Sequence, residues 1–125
     1  MEKVIAEGLA RIPSFSHAVI AGDFVFVSGS LGTVGDTTDL VEGGTGPQTT
    51  QALENIERIL RASGFEMGQM VKVNVFLSDM TTFQEMNEAY LRVIADSPPA
   101  RITVGGVDLA LGAAVEIDCV AYRGG

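Results

Sequence analysis

A segment with strict alternation lies in the middle of the chain and constrains the fold more than any other feature. Across residues 70–78, valines and a leucine occupy one phase, and lysine, asparagine, phenylalanine and serine occupy the other. A period of two residues is typical of a β-strand. The segment therefore predicts a strand with one face toward the core, and it assigns Val71, Val73, Val75 and Leu77 to that face.

An amphipathic helix is predicted before this strand. Its apolar residues follow the helical period along one stripe, namely Ala52, Leu53, Ile56, Ile59 and Leu60. Thr45 and Gln48 have the spacing of a capping box at its start. Gly64 is a typical helix stop.

A second helix is predicted after the strand. Apolar and aromatic residues recur there at helical spacing and are interpreted as core, namely Phe83, Met86, Tyr90 and Val93. Its start is predicted at a second capping box, formed by Thr81 with Gln84 or by Thr82 with Glu85. The pair Pro98-Pro99 predicts its end and an extended segment afterwards.

The remaining strands are predicted at the two ends of the chain. Residues 17–20 and 24–29 flank an Ala-Gly-Asp turn and predict a hairpin. Residues 101–107 and 113–122 predict two more strands. The order hairpin, helix, strand, helix, strand, strand predicts one α+β domain over residues 1–125, with both helices on one face of a mixed sheet.

The composition indicates that this domain associates with other subunits. The chain is 46% hydrophobic, has a positive mean hydropathy and contains only 19% charged residues. A sheet covered by helices on one face leaves its other face to be covered by something else. We therefore expect a homo-oligomer. No run is long enough to span a membrane and no signal peptide is recognisable, so we expect a soluble cytoplasmic protein.

Several function classes are disfavoured. The net charge is −8 and the basic residues are dispersed, which argues against nucleic-acid binding and ribonuclease activity. His17 is the only histidine and Cys119 the only cysteine, so no metal site is predicted, and Cys119 lies in the apolar phase of its strand. Phosphate-loop, dinucleotide and nucleophile-elbow motifs are missing from the sequence. We expect no cofactor.

Two charged residues in the last two strands are the first candidates for chemistry. Arg101 begins one strand, and Glu116 interrupts the apolar pattern of the other. If these strands form a tight hairpin, the two residues are opposite each other and form a salt bridge. If the strand of residues 70–78 lies between them, they are about 10 Å apart, which leaves room for a small molecule. The pattern alone leaves both interpretations open.

Six segments, taken together and in order, carry a resemblance that covers nearly the whole chain. They are residues 24–30, 51–56, 71–77, 86–90, 99–104, which read Pro-Ala-Arg-Ile-Thr-Val, and 109–117. The set resembles the RidA family, also called the YjgF/YER057c/UK114 family. The resemblance implies a chorismate-mutase-like protomer, a homotrimer around a central β-barrel and binding clefts between neighbouring subunits. It also places the strand of residues 70–78 between the strands of Arg101 and Glu116, and so favours a site in which the two face each other across that strand.

The resemblance also implies an activity. Catalytic members hydrolyse reactive enamines and imines, such as 2-aminoacrylate and 2-iminobutanoate, to 2-oxo acids and ammonia. Arg101 matches the arginine that clamps the substrate carboxylate, and Glu116 matches the glutamate that handles water. Residues 28–30, that is Ser28, Gly29 and Ser30, match the loop beside the substrate.

The chain departs from the family pattern at three positions. Phe15 stands where active members usually have tyrosine, Thr103 replaces a frequent cysteine, and Ala110 replaces a proline. Phe15 and Thr103 are still expected at the substrate. The main hypothesis is an enamine and imine deaminase, and the alternative is a non-catalytic trimer that binds small carboxylates or has a protective role.

Overall fold

A six-stranded sheet with two helices against one face forms the molecule. The computed structural model describes residues 1–124. The strands are β1 (Glu2–Val4), β2 (Ala18–Ala21), β3 (Phe24–Leu31), β4 (Met70–Leu77), β5 (Ala100–Val104) and β6 (Val115–Tyr122), and the helices are α1 (Thr45–Ala62) and α2 (Phe83–Ile94). This confirms the predicted α+β architecture and the order of its elements. The short edge strand β1 was not predicted, since three residues are too few to show alternation.

The order of the strands across the sheet is β1-β2-β3-β6-β4-β5. All neighbours are antiparallel except β4 and β5, which are parallel. The last two strands of the chain are therefore not partners, because β4 lies between them. The hairpin that would have made Arg101 and Glu116 a salt bridge is excluded.

The core lies between the sheet and the helices. It contains the predicted apolar stripe of α1, together with Met86 and Tyr90 of α2. Val73, Val75 and Leu77 of β4 are fully buried against it. Val71 was predicted on the same face but is 44% exposed, because the pairing with β6 shifts between Met70 and Lys72 and turns it outward.

The helix starts differ from the predicted capping boxes. Gly44 precedes α1, and among the described residues no side chain caps the start of that helix. Gln48 instead accepts a hydrogen bond from the backbone N–H of Ala114, 2.9 Å away, and so links α1 to the start of β6. Before α2, Asp79 accepts from the backbone N–H of Thr81 at a 3₁₀ turn, and neither predicted box forms. Both predictions of a capping box were wrong. The side chain of Gln48 is bound to Ala114, and the carboxylate of Asp79 caps the backbone N–H of Thr81.

No element of residues 1–124 covers the other face of the sheet. Large apolar side chains are exposed on it, including Phe24, Phe26, Ile102 and Tyr122. Neither helix of residues 1–124 has the length and apolar character that a bilayer crossing requires. The predicted homo-oligomer remains a prediction.

Candidate active site

Arg101 is held in place by α2. One of its terminal nitrogens donates to Oδ1 of Asn87 at 2.9 Å. Its guanidinium carbon lies 4.7 Å from the ring centre of Tyr90 and 5.7 Å from that of Phe83. Rings in these positions favour a cation and immobilise the planar guanidinium.

The charge of Arg101 is not neutralised within the described chain. Among residues 1–124 the only ion pair joins Arg61 and Glu57, on the surface of α1. Asn87 occupies one donor of a group that has five. Arg101 therefore keeps donors for a carboxylate, which a guanidinium binds through two parallel hydrogen bonds.

Glu116 is a half-buried carboxyl in apolar surroundings. Its chain neighbours Val115 and Ile117 are both fully buried in the core, so Glu116 projects to the opposite, uncovered face. Burial raises the pKa of Glu116, and the nearby charge of Asp118 raises it further. Such a carboxyl is suited to accept and return a proton.

Arg101 and Glu116 do not face each other within one chain. Arg101 is in register with Val73, which is buried beneath the helices, whereas Glu116 is opposite Phe76 on the uncovered face. The two positions are separated by two strand spacings and by three residues along β4, so their Cα atoms are roughly 14 Å apart. β4 lies between them as expected, but the expectation that their side chains face each other across it was wrong. The alternation of a strand decides this, since positions an odd number of residues apart lie on opposite faces.

A groove of about 300 Å³ brings together four of the predicted site residues. They are Phe15, Gly29, Ser30 and Glu116. The walls come from the segment of residues 9–17, the end of β3, one face of α1 and the 3₁₀ turn at residues 110–112. Among the described residues, Arg101, Thr103 and Ser28 do not line this groove.

Gly29 lets the carboxylate of Glu116 come close to the backbone. The pairing of β3 with β6 is irregular between Val27 and Ser30, and Gly29 lies in this bulge. A Cβ atom at Gly29 would collide with Oε2 of Glu116. The glycine therefore creates the space that Glu116 occupies.

The two serines beside Gly29 form hydrogen bonds inside the protein. The hydroxyl of Ser28 donates to the carbonyl of Ser16 at 2.6 Å, and that of Ser30 donates to the carbonyl of Ser28 at 3.2 Å. Ser28 thus ties β3 to the segment that precedes β2. Only Ser30 combines such a bond with a place in the groove.

Phe15 and Thr103 lie in different places. Phe15 is 44% exposed at the groove. Its carbonyl accepts from the Arg11 side chain at 2.6 Å. Thr103 follows Arg101 by two residues and is in register with the buried Val75, so it shares the face of Arg101.

His17 and Cys119 have structural roles. His17 is buried, with Nδ1 accepting from the N–H of Ala6 at 2.9 Å and Nε2 donating to the carbonyl of Ala10 at 2.8 Å. Burial raises the pKa of the Cys119 thiol to about 12, so it is not a nucleophile. No group of three or more potential metal ligands occurs within residues 1–124.

The residues that hold Arg101 were not predicted from the sequence. Phe83 and Tyr90 were interpreted only as core, and Asn87 was not considered as a partner. These three positions lie at helical spacing of three and four residues on α2, which was a usable signal. Nothing in the pattern of these residues, however, indicated that an arginine from a distant strand would lie over them.

Comparisons with known proteins identify the family of this chain. The family model described as Endoribonuclease L-PSP matches residues 6–123. A RutC family protein of Pyrococcus horikoshii is 38% identical over 112 residues, which are 90% of this chain and 89% of the relative. A bovine protein named 2-iminobutanoate/2-iminopropanoate deaminase is 35% identical over 119 residues, 95% of this chain and 87% of the relative.

The chain belongs to the RidA family. The predicted resemblance is thereby confirmed, and solved structures agree with it. RidA from Psychrobacter sp. has a TM-score of 0.89 at 34% identity and covers 97% of this chain and 98% of its own. Escherichia coli TdcF with bound serine has a TM-score of 0.86 at 27% identity and covers 98% of this chain and 100% of its own. The RidA fold of this chain is established.

Proposed function

We propose that this RidA-family chain hydrolyses 2-imino acids, and the enamines that tautomerise to them, to 2-oxo acids and ammonia. The observation that carries the proposal is Arg101, a guanidinium held by Asn87 and Tyr90 with no acidic partner in residues 1–124. It provides a fixed site for a substrate carboxylate. The bovine relative is named for this reaction with 2-iminobutanoate and 2-iminopropanoate. TdcF is described with bound serine, which contains a carboxylate of the kind assigned here to Arg101.

The chemistry needs only one proton-transfer group besides the clamp. Glu116 takes a proton from water as the water oxygen bonds to the imine carbon, and it passes this proton to the imine nitrogen. The hydroxyl proton of the tetrahedral intermediate then passes through Glu116 to the amino nitrogen as the C–N bond breaks, so that ammonia leaves and the 2-oxo acid remains. Correct positioning of water and imine supplies the rest of the acceleration. The proposal requires no metal and no cofactor.

The two groups are proposed to meet between copies of the chain. Since Arg101 and Glu116 lie on opposite faces of one sheet, a shared site needs Arg101 of one copy beside the groove of the next. A homotrimer with three equivalent clefts satisfies this requirement. The edge position of β5 supports it, because Arg101 lies on the strand at the rim of the sheet.

The second candidate function is binding of small carboxylates without turnover. Phe15 favours it, because the groove has a phenyl ring where active relatives usually have a tyrosine hydroxyl. The description of the family model names an endoribonuclease activity. The net charge of −8 argues against that activity for this chain, since RNA would be repelled.

The test is a coupled assay in which 2-iminobutanoate is generated in situ from an amino acid by a pyridoxal-phosphate enzyme. We expect faster formation of 2-oxobutanoate than in buffer, and loss of this effect in Arg101→Ala. Arg92→Ala is the matched control, because Arg92 is exposed on the same helix that holds Arg101. An unchanged rate with the wild-type protein would disprove the deaminase proposal, and calorimetric binding of 2-oxobutanoate without turnover would establish the second candidate.

A further inference from the structure

The groove beside Glu116 points to the substrate side chain. We propose that it binds a large apolar side chain, so that this protein prefers 2-imino acids derived from residues such as leucine or phenylalanine over those derived from alanine. The inference rests on the proposed function, because Glu116 is taken as the group that handles water. It assigns a substrate class that the deaminase activity alone does not.

Most of the groove wall is apolar. Its large apolar members are Leu9, Ile12, Phe15, Leu31, Ile59 and Leu111. Three of them are well exposed, with Ile12 at 38%, Phe15 at 44% and Leu111 at 56%. Large apolar side chains that are exposed around one concavity mark a binding site, whereas single exposed ones scattered on a surface do not.

The buried polar side chains in the wall already have partners. Both ring nitrogens of His17 are bound to backbone groups, as described above. The amide nitrogen of Asn55 donates to the carbonyls of Leu31 and Thr33, at 3.1 and 3.0 Å, and its oxygen accepts from Gln51. Ser30 donates to the carbonyl of Ser28. Since these groups are already hydrogen-bonded within the protein, a polar substituent in the groove would gain little and an apolar one would lose little.

Glu116 fixes the position of the substrate relative to this wall. Its carboxyl lies at Gly29, and both residues line the groove. Among the groove residues it is the one with a carboxyl group. A water activated there attacks a carbon next to the groove, so the substituent on that carbon extends along the apolar wall. The volume of about 300 Å³ is at the lower end of small-molecule pockets, which span ~300–1,000 Å³. A methyl group leaves most of it filled with water, whereas an isobutyl or benzyl group displaces that water.

The first experiment compares imines of different size. An L-amino acid oxidase generates the imino acids of alanine, 2-aminobutanoate, leucine and phenylalanine, with oxygen reduced to peroxide, and the protein competes with semicarbazide for each imine. We expect kcat/KM for the leucine and phenylalanine imines to exceed that for the alanine imine at least about tenfold, the minimum for added methylenes in an apolar pocket. Equal values, or a preference for the alanine imine, would overturn the inference and leave the deaminase function intact.

Variants locate the preference in the groove. Leu111 has a φ of 61°, a conformation that asparagine adopts readily, so Leu111→Asn adds polarity without backbone strain. Combined with Ile12→Ser, it is expected to reduce kcat/KM about tenfold for the leucine imine and much less for the alanine imine, whose methyl group contacts less of the wall. Leu91→Asn is the control, because Leu91 is 50% exposed on α2 and lies outside the groove wall. A loss with Leu91→Asn equal to that with Leu111→Asn would contradict the assignment.

Binding measurements separate this inference from the catalytic proposal. Calorimetry with pyruvate and 4-methyl-2-oxopentanoate measures the same preference without turnover. Tighter binding of the larger acid, lost in Leu111→Asn, supports the groove even if no imine is hydrolysed, and in that case only the deaminase function fails. Equal dissociation constants for the two acids would overturn the inference whatever the activity.

Discussion

Arg101 and Glu116 lie on opposite faces of the same sheet. Arg101 is in register with the buried Val73 of β4 and packs against α2, whereas Glu116 is opposite Phe76 on the face without helices. Each chain thus carries two halves of the proposed site, pointing in different directions. The proposed chemistry consequently depends on assembly.

Mixing two inactive variants is expected to restore activity. Arg101→Ala and Glu116→Gln each remove one half of the site, but an interface that joins the intact Arg101 of one to the intact Glu116 of the other is complete. If the two variants assemble at random into the proposed trimers, about a quarter of all subunit interfaces have this composition. The measurement is deaminase activity after co-expression, with light scattering expected to give about 39 kDa, three copies of the 13.1 kDa chain. No recovery in the mixture would contradict a site shared between copies.

Glu116→Gln is expected to stabilise the protein at neutral pH while removing activity. Burial raises the pKa of Glu116 above its usual 4.5, so the folded state binds this proton more tightly than the unfolded state. The protonated carboxyl therefore favours folding below pH 4.5, and this contribution is lost as the pH rises through the folded pKa. Thermal unfolding should show a higher Tm for Glu116→Gln than for wild type at pH 7 and little difference at pH 4. In wild type, kcat/KM should fall on acidification at a pH above 4.5. A Tm advantage that is larger at pH 4 than at pH 7 would contradict the direction of the shift.

Gly29→Ala is expected to reduce activity with little loss of stability. The new Cβ would collide with Oε2 of Glu116, the end of a flexible side chain that moves away more easily than backbone. We expect the carboxylate to be displaced and kcat to fall at least about 100-fold, as small misplacements at a catalytic centre can cause. Gly68→Ala is the control, because no atom of the part of the chain that the structure describes lies within 4 Å of a Cβ at that position. Wild-type kcat in Gly29→Ala would show that the close approach is not needed.

Tyr90 is expected to act through its ring and not through its hydroxyl. The hydroxyl oxygen is buried and has no hydrogen-bond partner among the described residues, while the ring lies 4.7 Å from the guanidinium carbon of Arg101. Tyr90→Phe removes an unsatisfied group and should raise the free energy of unfolding by about 1 kcal/mol. It should leave carboxylate binding unchanged.

Tyr90→Leu tests the ring itself. It should weaken 2-oxo acid binding by ~0.5–2 kcal/mol through the lost cation–π contact. Calorimetry and urea unfolding of Tyr90→Phe and Tyr90→Leu check both statements. Weaker carboxylate binding in Tyr90→Phe would assign a role to the hydroxyl instead.

Much of the fold follows from local patterns in the sequence. The stripe from Ala52 to Leu60 is buried as predicted, because helical periodicity records which side meets the core. Gly64 follows α1 with a φ of 82°, a conformation that favours glycine. Val71 is an exception. A shift in the pairing of β4 with β6 turns its side chain to the exposed face, and nothing in the alternation of β4 indicates that shift.

The sequence by itself determined the two helices, five of the six strands, most of the buried faces and the two charged residues that break the apolar patterns, Arg101 and Glu116. It also determined the family, through segments spread along nearly the whole chain. The resemblance implied that β4 separates β5 from β6, and the strand order confirms it. Only the tertiary structure decided that the two charges point to opposite faces, that α2 holds Arg101 and that Gly29 makes room for Glu116. The physical reason is that burial of one face produces a periodic pattern of apolar residues within each segment. Strand order and register depend instead on pairings between distant segments, and neither segment alone contains a pattern that identifies its partner.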